Sequence, residues 1–170
     1  KRVQQTLRSL CPATEVYSID ESFLNLNGIK EEDLDAFGHY VSYKVLKNTG
    51  IPISVGISHT KTLAKIASKL CKQYPKLKGS CYMHRPQDIE KVLKKFPIED
   101  VWGIGRRFSA MLKSRNINTA YDFSQQPLYF VRSKMHLGGM KTWYELHGRP
   151  CIEFEAHIPD KQQIMVSALV

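Results

Sequence analysis

The chain has 170 residues, long enough for a core that removes roughly two thirds of its unfolded surface from water. Its hydrophobic fraction of 42% and charged fraction of 24% exclude a wholly disordered, collagen-like or membrane-embedded chain, and no apolar run approaches the roughly 18 residues of a membrane span. Lysine and arginine outnumber the acids by 25 to 16, a net charge of +9 that suits a polyanionic partner.

Residues 2–10 space Val3, Leu7 and Leu10 as a helix does, and Cys11-Pro12 ends it. Residues 15–26 mix β-branched and aromatic residues with polar ones, which predicts two short strands in a hairpin with Asp20-Glu21 near the bend. Residues 30–48 align Leu34, Phe37, Val41, Val45 and Leu46 on one helical stripe, with Glu31, Glu32 and Asp33 in the first turn. After Gly50-Ile-Pro, the alternation of Ile51, Ile53, Val55 and Ile57 predicts a half-buried strand. Residues 61–73 form a helix whose apolar face leaves Lys61, Lys65, Lys69 and Lys72 on a shared flank. A short strand at 80–83 and a helix led by Pro86 follow. This order predicts an α+β fold, one open sheet with helices on one face. Residues 98–148 show helical periodicity and turn glycines, and 161–170 return to a strand pattern. The division expected is 1–97, 98–150 and 151–170.

Charge is unevenly placed. Residues 15–40 hold seven acids and one base, whereas residues 60–115 hold fourteen bases and four acids. Acid beside base on this scale suits metal-assisted phosphate chemistry next to a nucleic-acid backbone. Cys11, Cys71, Cys81 and Cys151 contain no C-x-x-C pair, so neither a zinc knuckle nor a dense disulfide framework is expected and a reducing cytosol is the default setting. The opening Lys-Arg-Val-Gln-Gln has neither an initiator Met nor a signal segment, and reads as an internal piece of a longer protein. The six histidines show no metal spacing, and Trp102 and Trp143 read as core anchors.

Three constellations carry candidate chemistry. In Ser18-Ile-Asp-Glu-Ser-Phe, adjacent carboxylates on a straight strand would face opposite ways, so Asp20 and Glu21 share a divalent ion only at a bend; a solvated turn is the alternative. The lysine flank suits a triphosphate or a strand backbone, or is an ordinary exposed helix face. Gly56-Ile-Ser-His-Thr-Lys61-Thr62 is not a P-loop, because Thr60 stands where a glycine is required. In Val101-Trp-Gly103-Ile104-Gly105-Arg106-Arg107, a Gly-x-Gly turn opening into a helix offers backbone N–H groups to one phosphate, with Lys113 and Arg115 adding to the field. That is the helix-hairpin-helix pattern, or else a tight helix–helix corner.

Tyr17-Ser-Ile-Asp-Glu-Ser-Phe-Leu resembles the Tyr-Ser-Ile-Asp-Glu-Ala-Phe-Leu palm motif of Y-family translesion DNA polymerases, with Ser22 in place of Ala. Ile53-Ser-Val-Gly-Ile-Ser-His-Thr-Lys-Thr-Leu-Ala-Lys-Ile-Ala is similar to their second palm signature. Val101-Trp-Gly-Ile-Gly-Arg-Arg and Lys161-Gln-Gln-Ile resemble the bacterial UmuC-type branch. The resemblance implies an incomplete ferredoxin-like antiparallel palm (1–97), a helix-hairpin-helix thumb (98–150), and a linker with the first strand of a truncated little-finger domain (151–170). By resemblance, Asp20 and Glu21 are catalytic ligands of two Mg²⁺ ions, and Lys72 meets the incoming triphosphate. Gly103, Ile104, Gly105, Arg106, Arg107, Lys61 and Lys65 are the expected DNA contacts. The implied partners are primer–template DNA, a dNTP, and a sliding clamp and UmuD-type accessory subunit, in a bacterial cytoplasm during the damage (SOS) response. The family's first metal-binding Asp has no counterpart here, so the longer protein is expected to polymerise and this chain alone is not. The rival readings are a non-catalytic helix-hairpin-helix DNA-binding module and a palm-fold nucleotide cyclase.

Overall fold

The computed structural model describes residues 2–152 and the backbone of Met165–Leu169. Two units are resolved, one holding the described residues up to Met83 together with Met165–Leu169, the other His84–Ile152. Among the described residues no helix is long and apolar enough to cross a membrane.

In chain order the first unit contains α1 (Arg2–Leu10), β1 (Thr14–Val16), β2 (Glu21–Asn25), α2 (Leu34–Thr49), β3 (Ser54–Ser58), α3 (Lys61–Gln73), β4 (Ser80–Tyr82) and β5 (Met165–Leu169). The acids Glu31, Glu32 and Asp33 form a single 3-10 turn ahead of α2 and not its first turn. The sheet order is β1-β2-β5-β3-β4. All neighbours are antiparallel except β3 and β4, which run parallel on either side of the α3 connection. The sheet is thus antiparallel, as expected, apart from the one parallel pair β3 and β4.

Successive strand residues point to opposite faces, and β3 shows what each face meets. Val55 and Ile57 are fully buried in a core with Val3, Leu7, Leu24, Val41 and Val45, so α1 and α2 cover that side. Gly56 points the other way, where a Cβ would collide with the backbone of Ala64 and Ser68 in α3. Helices thus pack on both faces, a correction to the single helical layer expected. The missing Cβ of Gly56 is what lets α3 lie against the sheet. The Ser68 hydroxyl then donates to the Ser54 carbonyl at 3.1 Å, and the Cys71 thiol to that of Val55 at 3.4 Å.

Met165–Leu169 does form a strand, but it pairs with β2 and β3 inside this sheet and not in a further domain. An extended segment there satisfies the ladder groups that β2 and β3 would otherwise leave open. Residues 153–164, which carry Lys161-Gln-Gln-Ile, lie outside the described residues.

The second unit comprises α4 (Pro86–Lys95), a 3-10 turn at Ile98–Asp100, α5 (Arg106–Ser114), α6 (Ala120–Ser124) and α7 (Leu128–Leu146), the last broken at His136, where φ is 58°. Leu93, Phe96, Ile98, Val101, Ile104, Leu112, Ala120, Phe123 and Val131 are buried in it. The boundary expected after residue 97 falls instead between Met83 and His84. Across Phe96-Pro97 the Ala120 N–H donates to the Phe96 carbonyl at 2.8 Å and the Ile98 N–H to that of Asn118 at 2.9 Å. The Lys94 ammonium lies 4.9 Å from the Tyr121 ring centroid, so α4 belongs with α6.

Candidate functional site

The β1–β2 hairpin turns over residues 17–20. The Tyr17 and Ser18 N–H groups both donate to the Glu21 carbonyl, at 3.0 and 3.1 Å, which closes the loop. Asp20 stands exposed at the bend and accepts from the Ser18 hydroxyl at 2.9 Å. Glu21 opens β2, so its side chain obeys the strand alternation. It shares a face with Phe23, and Phe23 pairs in register with Glu15. The bend thereby separates two adjacent acids into an exposed one and one directed at α3.

Helix α3 meets that face with its first two lysines. Thr60 caps it by accepting from the Leu63 N–H at 3.1 Å, which fixes where the lysines emerge. Lys61 Nζ lies 2.6 Å from Glu15 Oε1 and 5.0 Å from the Phe23 ring centroid, with 2% of its side chain exposed. One turn on, Lys65 Nζ lies 2.8 Å from Glu21 Oε2 and 4.8 Å from the Tyr17 ring centroid. Tyr17 and Phe23 stack edge to face at 5.8 Å. The shared solvent flank is thus corrected: Lys61 is buried and Lys65 is engaged with the hairpin, so neither stands out as a backbone contact. Lys72 is exposed in the last turn of α3, about 10 Å along the axis from Lys65 at 1.5 Å per residue.

No group of three His, Cys, Asp or Glu able to hold a metal ion occurs among the described residues. Asp20 and Glu21 are two hard oxygen donors, one of them open to solvent, and Mg²⁺ characteristically takes one or two carboxylates and fills its remaining positions with water and substrate phosphate. Asp20 presents an open oxygen donor of that kind, while the Glu21 carboxylate is occupied by Lys65.

In the second unit, Gly103 adopts φ 93°, and a Cβ there would press on the Thr142 hydroxyl. Both facts require glycine. The Ile104 N–H donates back to the Val101 carbonyl at 3.0 Å, and the buried Ile104 side chain anchors the turn. Gly105 is the N-cap of α5 and supplies no side-chain cap, so the first N–H groups of α5 face outward without an intrahelical acceptor. Arg106 and Arg107 are exposed beside them. Lys113 instead pairs with Glu99 at 3.0 Å, and the Glu99 carboxyl is held below its ordinary range by its own N–H and by that ammonium. The Arg115 guanidinium lies 5.4 Å from the Phe130 ring centroid. The field at the turn therefore comes from the two arginines and the helix end.

Residues 1–69 match the impB/mucB/samB family, and residues 86–117 match the IMS family HHH motif. Together the two matches span more than half of the chain. Over residues 1–69 the chain is thus similar to the impB/mucB/samB family. Protein UmuC of Salmonella typhimurium is 39% identical over 168 residues, which are 98% of this chain and 40% of that protein. SamB of the same species is 38% identical over 169 residues, with the same coverage. DNA polymerase IV of Brucella melitensis is 34% identical over 123 residues, 70% of this chain and 26% of that protein. The chain spans about two fifths of the length of the UmuC-like relatives it matches. A DinB family error-prone DNA polymerase from Sulfolobus solfataricus superposes with a TM-score of 0.67 at 22% identity, over 90% of this chain and 46% of that one. The Dbh DNA polymerase in an insertion ternary complex gives 0.67 at 23%, over 85% and 42%. At such identities these structures establish the shared fold.

The partners of the α3 lysines that sequence reasoning missed are Glu15 and Tyr17. Alternation held part of the signal, since Glu21 and Phe23 are two apart on β2 and Phe23 pairs with Glu15 on β1. Cys11 and Cys71 are buried and Cys81 and Cys151 half-buried, all as free thiols. Trp102 and Trp143, expected as core anchors, are both half-buried, and the Trp143 indole N–H donates to the Gln126 carbonyl at 3.0 Å.

Proposed function

We propose that the protein carrying this chain is a UmuC-type translesion DNA polymerase, with the first unit supplying part of its palm and the second its helix-hairpin-helix thumb. Asp20 and Glu21 would hold Mg²⁺, which when bound stabilises the charge of phosphoryl transfer. The chain's own tasks are positional. The hairpin presents the two carboxylates, and the Lys72 ammonium meets the triphosphate of a dNTP as a point charge. Gly103, Ile104 and Gly105, with Arg106 and Arg107, hold primer–template backbone without reading bases.

The observation that carries this reading is the exposed Asp20 beside Glu21 at the hairpin bend, in a chain that also contains a glycine turn opening into α5. The relatives named UmuC and DNA polymerase IV support it. We further infer a wider setting: damage response in a bacterial cytoplasm, with a UmuD-type subunit and the sliding clamp as partners. The 170-residue chain alone, with two carboxylates at the bend, is expected not to extend a primer.

A second reading is favoured by one contact. Lys65 already neutralises Glu21, as it would in a DNA-binding module whose acids are inert. Primer extension by the full-length protein separates the two. Glu21→Ala abolishes extension and leaves duplex affinity unchanged if the chain is catalytic, and leaves both unchanged if it is a binding module.

A further inference from the structure

The α3–hairpin interface contains the same ion pair twice, at two depths. The first copy, Lys61 with Glu15, is closed: 2% and 9% of the two side chains are exposed, and the ammonium faces Phe23. The second, Lys65 with Glu21, is half-open, with 12% and 20% exposed. It lies next to the exposed Asp20, and its ammonium faces the ring of Tyr17, itself 46% exposed. Two adjacent carboxylates without a cation repel each other, and a partly buried one without a partner is costly. Lys65 meets both problems at Glu21.

We propose that Lys65 is a built-in counter-ion, a positioning residue that holds Glu21 at the hairpin bend in the absence of a divalent cation and that the cation must displace. This rests on the reading that Asp20 and Glu21 are metal ligands. Lys61 anchors α3 one turn earlier, so the Lys65 stem stays in place while its head group changes partner. The Tyr17 ring is the second seat. An ammonium that gives up the carboxylate keeps a cation–π contact there and need not enter water unpartnered. A purely structural salt bridge would hold Glu21 whether or not a metal is present. A counter-ion competes with the metal for the same oxygen.

The test is Mn²⁺ binding to the full-length protein without nucleotide, followed by the electron paramagnetic resonance signal of free Mn²⁺. Lys65→Met removes the competitor and binds Mn²⁺ roughly three- to tenfold more tightly. Lys65→Gln, which keeps length and a donor but no charge, shifts in the same direction and serves if the methionine variant does not fold. Lys65→Arg keeps the wild-type affinity. Unchanged or weaker binding in the Met and Gln variants overturns the proposal. Glu21→Gln weakens Mn²⁺ binding if Glu21 is a ligand. If it has no effect, the ligand reading itself fails and the counter-ion role falls with it, an outcome distinct from failure of the lysine variants alone.

Discussion

Lys61 Nζ lies 2.6 Å from Glu15 Oε1 at the start of α3, with both side chains almost wholly out of water. This contact ties the helix that carries Lys65 and Lys72 to the strand that leads into Asp20 and Glu21, so the geometry of the site depends on a pair that touches no substrate.

Breaking that pair from one side leaves a buried charge. Lys61→Met or Glu15→Leu is expected to destabilise the protein by about 3–5 kcal/mol, whereas the double replacement Lys61→Met with Glu15→Leu recovers most of the loss. Urea denaturation of the two singles and the double gives the cycle directly. Independent, additive losses would show that the two residues do not act as a pair.

The phosphate-binding role of the α5 turn predicts a salt signature. Each of Arg106→Ala and Arg107→Ala lowers the slope of log affinity against log salt for duplex DNA by about 0.9, with equal effect on unrelated sequences. Lys61→Met, whose ammonium is buried, leaves the slope unchanged in protein that is still folded. Fluorescence anisotropy at several salt concentrations distinguishes these. A slope loss in Lys61→Met equal to that of the arginine variants would return Lys61 to the DNA interface.

The Tyr82 hydroxyl donates to Glu31 Oε1 at 3.2 Å, and burial together with that carboxylate pushes its pKa up to about 12 from an ordinary 10. The folded state keeps its proton at pH values where the unfolded state loses it, so the stabilisation is complete below pH 10 and is lost as pH rises through about 12. Absorbance at 295 nm should show one late-titrating tyrosine that Tyr82→Phe removes. A normal titration would contradict the burial.

Local periodicity made much of this molecule legible. The span 61–73 predicted for α3 is the observed one, Lys61–Gln73, because a strong apolar stripe and a Thr60 cap agree. A hairpin with its bend near Asp20-Glu21 is also the observed one, turning over residues 17–20 between β1 and β2. What failed was everything set by contacts distant in sequence. A lysine at helical spacing looks exposed until a strand 46 residues earlier brings Glu15 to it. Gly56 looks like ordinary strand alternation, and only the approach of α3 reveals why it has no side chain. The chain changes character after Phe96-Pro97, but the backbone partners of that segment at 118–120 decide which unit owns α4. The place of Met165–Leu169 between β2 and β3 is non-local pairing of the same kind.

The account rests on Asp20 touching a metal ion, and an exchange of ligand softness tests that most directly. In the full-length protein, Asp20→Cys replaces a hard oxygen with a soft sulfur, which binds Mg²⁺ poorly and Cd²⁺ well. Primer extension by this variant in Mg²⁺ should fall roughly a thousandfold, equivalent to about 4 kcal/mol of barrier, and should partly return when Cd²⁺ is added, with duplex affinity unchanged throughout. Extension by Asp20→Cys in Mg²⁺ at the wild-type rate would contradict it.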